Sequence, residues 1–155
     1  MRVALFLFLI MCFEINAQSF GQNKVQYKVF DWNYIQTSHF DIYYYDGEQD
    51  LAEFVADVAE DSYEQISIHL RWNLKNRVSI MVYNSHNEFQ QTNIVRPYMR
   101  EGIGGVTELF KNRVVFPFEG NYEQFRHVIH HELVHAMIND MIYGGRMQNI
   151  ISSRA

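Results

Sequence analysis

Cysteine is almost missing from this chain: Cys12 is the only one in 155 residues. A single thiol cannot form a disulfide within the chain, even in an exported setting that permits them. Proline (2) and glycine (8) are scarce, whereas 48% of residues are hydrophobic and 15% aromatic. That balance excludes a fibrous or disordered polymer and fits one globular domain with a real core. Basic charge is neither dominant nor clustered. The formal net charge is -5 and the pI is near 5.8, so no nucleic acid is indicated as a partner, and no basic run marks an anionic membrane surface. The chain also lacks internal repeats, low-complexity tracts and any apolar run of the roughly 20 residues that a membrane-spanning helix needs.

An apolar run of lesser length is present at the start. Arg2 gives one positive charge, Val3 to Phe13 is almost unbroken in its apolarity, and Asn16-Ala17 puts a small residue before Gln18. This is the order of a secretory signal peptide, with residues 1–17 removed by cleavage after Ala17. Ile15, three residues before the cut, is acceptable there. An N-terminal anchor and a core strand are the competing readings. A lipoprotein acylated at Cys12 is disfavoured, because Met11 stands where a small residue is needed. Loss of the leader removes Cys12 as well, so any metal must then be held by histidine and carboxylates. No transmembrane span remains after cleavage.

Beyond a polar start at Ser19 to Asn23, Val25 to Ile35 is aromatic-rich and carries no clear period. His39 to Tyr45 alternates, with Phe40, Ile42 and Tyr44 on one face and Asp41, Tyr43 and Tyr45 on the other, and predicts a strand ended by Asp46-Gly47. Glu48 to Leu70 predicts a long helix with Leu51, Val55, Val58, Ser62, Ile66 and Leu70 in one stripe. Glu53, Asp57, Glu60 and Glu64 lie on its other side as a solvated acidic face. Arg77 to Tyr83 reads as a strand. Ser85 to Thr92 reads as a short helix capped by Ser85, with Glu88 three residues on. Glu101 to Gly105 is loop or irregular edge. Val106 to Phe110 and Arg113 to Phe118 predict a hairpin around Lys111-Asn112. Tyr122 to Tyr143 is a second long helix, following the break at Glu119-Gly120-Asn121 and stopped by Gly144-Gly145. The expected fold class is α+β, a mixed sheet packed against two long helices.

Four of the seven histidines, His127, His130, His131 and His135, fall on this last helix. His131-Glu132-Leu133-Val134-His135 matches H-E-x-x-H. Residues four apart share a helix face with Cβ atoms about 5–6 Å apart, so two imidazoles can converge on one zinc ion at about 2.0–2.1 Å each. Glu132 projects beside them, placed to take a proton from a water on the metal. The uncharged neighbours Val128, Ile129, Leu133, Val134, Ala136 and Met137 suit a helix whose sides must be buried to hold imidazoles still. A chance amphipathic helix is the bland alternative. His127 lies about 12 Å along the axis from His135 at 1.5 Å per residue, so it reads as a packing or supporting histidine and not as a third ligand. His130 faces about 100° away from His131 and reads as surface or core.

With this helix in view, Tyr122 to His135 resembles the active helix of gluzincin metallopeptidases, the thermolysin-like, peptidase MA type. Phe40 to Tyr45 and Gly104-Gly105-Val106-Thr107-Glu108-Leu109-Phe110 resemble strands of that family's N-terminal subdomain. The nearest likeness is to exported bacterial proteins in which such a domain precedes Tol-type β-propeller repeats. The resemblance implies zinc-dependent hydrolysis of a peptide or protein substrate by residues 18–155, the N-terminal part of a zincin-like metallopeptidase domain. It carries the zinc-ligand role to His131 and His135 and the general-base role to Glu132. It also implies that the strand at Arg113 to Phe118, or its hairpin partner, borders the cleft and pairs with an extended substrate; plain core is the other reading of that hairpin. It implies a periplasmic, outer-membrane-associated or extracellular location in a Gram-negative bacterium, with cell-envelope proteins as partners.

One departure from the family pattern matters. Gluzincins draw a third ligand from a Glu on a later helix, often in a Glu-Gly-x-x-Glu context. After His135 this sequence has no Glu, His or Cys, and its only acid, Asp140, lies about 140° around the helix at 100° per residue. The expectation is therefore a truncated chain, inactive by itself, whose third ligand lies beyond Ala155. The competing expectation is a non-catalytic zincin-fold binding or assembly module of a cell-envelope propeller protein. A phosphate cradle at Gly102 to Gly105 is discounted, since no Lys and no helix start follow it.

Overall fold

A computed structural model describes residues 27–45, 47–92, 104–108 and 111–143. The leader expected at residues 1–17, Cys12, most of the glycine-rich stretch and the helix stop at Gly144-Gly145 lie outside these. The elements are β1 (Trp32–Gln36), β2 (Phe40–Tyr45), α1 (Gln49–Leu70), β3 (Val78–Tyr83), α2 (His86–Gln90), β4 (Val106–Glu108), β5 (Arg113–Pro117) and α3 (Tyr122–Tyr143). The fold class is α+β, with a five-stranded mixed sheet in the order β1-β2-β3-β5-β4. The outer pairs β1·β2 and β4·β5 are antiparallel, and the inner pairs β2·β3 and β3·β5 are parallel. Parallel neighbours need a crossover, and α1 provides the one between β2 and β3.

Strand alternation divides the core in two. Phe40, Ile42, Val78, Ile80, Val82, Val114 and Phe116 turn to one face and are fully or almost fully buried there under α1 and α3. Most of the stripe read from α1 is buried: Leu51, Val55, Val58, Ser62 and Ile66 are inside, and Leu70 at its end is partly buried against the core. On α3 the buried set is Phe125, Ile129, Leu133, Ala136, Met137 and Asp140. Tyr45, Tyr83, Phe89 and Val115 form a smaller core on the other face, covered by Phe30 and Trp32. There the Tyr45 hydroxyl donates to Glu88 Oε2 (2.6 Å) and Lys28 Nζ donates to Glu88 Oε1 (2.8 Å). Burial, reinforced by that carboxylate, pushes the Tyr45 hydroxyl well above its ordinary range. Burial also pushes Tyr83 up to about 12.

The structure refines several sequence readings. Part of Val25 to Ile35 is strand: β1 pairs with β2 in register from Trp32↔Tyr45 to Gln36↔Asp41. The short helix begins as expected, with Ser85 Oγ accepting from Glu88 N at 3.3 Å. Glu60 is not part of a fully solvated face. It accepts from the His39 backbone N–H at 2.9 Å and pairs with His39 Nδ1 at 2.7 Å, tying the β1–β2 turn to α1. No helix among the described residues is long and apolar enough to cross a membrane.

Candidate active site on the last helix

The site is held by α3, and both ends of that helix are fixed. At its start Gly120 adopts φ +86°, a conformation that costs glycine little. Asn121 then caps the helix, its side-chain Oδ1 accepting from Gln124 N at 3.0 Å. Near the far end, buried Asp140 accepts from Trp72 Nε1 at 2.9 Å and from the Lys75 backbone N–H at 3.2 Å. The acid that the sequence placed outside the histidine site is thus an anchor between α3 and the loop after α1. It lies on the buried stripe of α3 with Leu133 and Met137, and a polar residue on an apolar stripe was the available signal.

Between these anchors the two motif histidines meet. His131 Nε2 and His135 Nε2 are 3.2 Å apart, their rings nearly perpendicular at 82°, and both residues are exposed. Two nitrogens bound to one tetrahedral zinc at about 2.0–2.1 Å stand about 3.3 Å from each other. The pair therefore has the separation that a shared zinc requires, and its nitrogen donors suit that metal. His127 and His130 stay out of this pair, as their helix positions required. His127 is exposed one turn before His131, and His130 is partly buried. Among the described residues no third His, Cys, Asp or Glu joins His131 and His135.

Glu132 reaches the sheet at β4. Its Oε2 accepts from Thr107 Oγ1 at 2.7 Å, and its backbone carbonyl lies 3.2 Å from the same hydroxyl. The strand reaches the helix because Gly104 and Gly105 carry no side chain. A Cβ on Gly104 would meet Val128 Cγ2 at 2.8 Å, and one on Gly105 would meet Phe116 Cδ1 at 2.8 Å and Glu132 Cγ at 2.9 Å. These glycines serve close packing of strand on helix. The sequence marked the stretch as loop or irregular edge, and a Gly-Gly pair directly before a strand was the signal for such an approach.

A solvent-open groove of about 470 Å³ runs along this junction, lined by Gly104, Gly105, Gln124, His127, His131 and Glu132. The topology also decides which hairpin strand can border it. β5 is paired on both sides, with β3 and with β4, so its backbone has no free edge. β4, with β1 at the opposite side, is an outer strand among those described. The chain matches no protein-family model, no curated protein and no solved structure.

Proposed function

We propose that this chain carries the metal-binding helix of an exported, zincin-like, zinc-dependent peptidase, in which His131 and His135 are metal ligands and Glu132 is the general base. The observation that carries the reading is the 3.2 Å approach of the two Nε2 atoms from residues four apart on one helix, with both rings open to solvent. A catalytic zinc site keeps one coordination position for water or substrate, whereas a purely structural one is closed, and rings open to solvent leave room for such access. The Glu that the resemblance implies as third ligand would come from outside the described residues.

When bound, zinc would supply a Lewis acid that acidifies water and polarises the scissile carbonyl. Glu132 takes a proton from the attacking water as the water's oxygen bonds to the scissile carbonyl carbon, and delivers that proton to the departing amine nitrogen as the C–N bond breaks. The outer edge of β4 pairs with an extended peptide by adding it to the sheet, and the groove along α3 receives its side chains. His131 and His135 would hold the metal through their Nε2 atoms.

Hydrolysis of a quenched fluorescent peptide library by the full protein that the gene encodes tests this reading. Glu132→Gln should lower kcat by roughly 100-fold or more while leaving one zinc per chain, since removal of a general base forfeits about 10²–10⁴. Equal activity of the two proteins refutes a catalytic Glu132. A zinc-free protein without hydrolysis favours the non-catalytic binding module instead.

A further inference from the structure

We infer that Thr107 is the positioning residue for the Glu132 carboxylate, an assignment that rests on the peptidase reading. Register sets its direction. Thr107 pairs with Val114, whose side chain belongs to the core under the helices, and lies on that same face of the sheet. Val106 packs against the smaller core on the other face, and Glu108 binds Arg113. Within the three residues of β4, Thr107 alone is aimed at α3. Its hydroxyl donates to Glu132 Oε2 at 2.7 Å, a charge-assisted bond of ordinary length.

The bond restricts a side chain that otherwise has three rotatable torsions. Glu132 Cγ lies so near Gly105 that a Cβ added there would come within 2.9 Å of it. With Oε2 committed to Thr107, Oε1 is the oxygen available to take a proton. The strand proposed to bind the peptide therefore also orients the base, so that substrate and base share one rigid reference. Sub-ångström placement of a catalytic group matters because misplacement by about 1 Å can cost about 10²-fold in rate.

The test compares Thr107→Val, which keeps the shape, with Thr107→Ser, which keeps the hydroxyl, in the full protein. Thr107→Val should lower kcat roughly 10- to 100-fold with KM and zinc content unchanged, and Thr107→Ser should recover most of that loss. In metal-free protein, the melting-temperature shifts of Thr107→Val and Glu132→Ala should be non-additive, because the two changes remove one shared bond. Retention of kcat by Thr107→Val, equal damage from Val and Ser, a loss of zinc from the Val variant, or additive melting shifts would each overturn the assignment. Absence of hydrolysis by the unsubstituted protein overturns the peptidase reading and this assignment with it. Hydrolysis that survives Thr107→Val overturns the positioning role alone.

Discussion

Asp140→Ala should destabilise the domain by about 2 kcal/mol. The carboxylate is 7% exposed and accepts from Trp72 Nε1 at 2.9 Å and Lys75 N at 3.2 Å. Removing it strands two donors, each at a cost of about 1–3 kcal/mol if no water replaces the partner. The two donors differ in access. Lys75 is exposed, so its amide can recruit water, whereas Trp72 is partly buried and bears most of the cost. Opposing gains are smaller. Alanine exceeds aspartate in helix propensity by about 0.5 kcal/mol, and removing a negative charge near the C-terminal end of α3 relieves about 0.3–1 kcal/mol. Asp140→Asn keeps one oxygen acceptor and should cost about 1 kcal/mol or less. Urea unfolding with a common m-value measures both. The chain has two tryptophans, so an indole N–H resonance that moves in both variants can be compared against the other as a reference. A loss below about 0.5 kcal/mol for alanine, or asparagine as damaging as alanine, would refute the view that hydrogen bonding makes this acid an anchor.

Gly105→Ala should cost about 1–3 kcal/mol, the range for overpacking, because its new Cβ would meet Phe116 and Glu132 within 3 Å; chemical denaturation at unchanged cost would show that β4 can retreat freely from α3. Stability should also fall in acid through Glu60. Burial raises this carboxyl, but hydrogen bonds from Thr37 and His39 outweigh it and hold the group below its ordinary 4.5. A depressed folded value means that the contribution is present above about pH 4.5 and is lost as pH falls through the lower folded value. Melting temperatures of wild type and Glu60→Gln should therefore converge as pH falls below about 4.5; a gap that stays constant on acidification would exclude Glu60 as a source.

The sequence by itself determined what periodicity and local chemistry determine. The α1 stripe, the alternation of Phe40 to Tyr45, the Ser85 cap and the extent of α3 follow from side-chain spacing and capping, which act over a few residues. The approach of His131 to His135 follows likewise, since helix geometry alone brings residues four apart together. The tertiary structure decided everything that required distant segments to meet. It showed part of the aromatic stretch after Val25 as an edge strand, because pairing with β2 is a long-range event. It turned Glu60 from a solvated acid into a partner of His39, and Asp140 from a spare acid into the tether of α3. It set β5 inside the sheet and β4 at its rim, a matter of strand order that alternation cannot encode. And it brought Thr107 to Glu132 across 25 residues of sequence, a contact that exists only because two glycines let a strand lie directly against the helix.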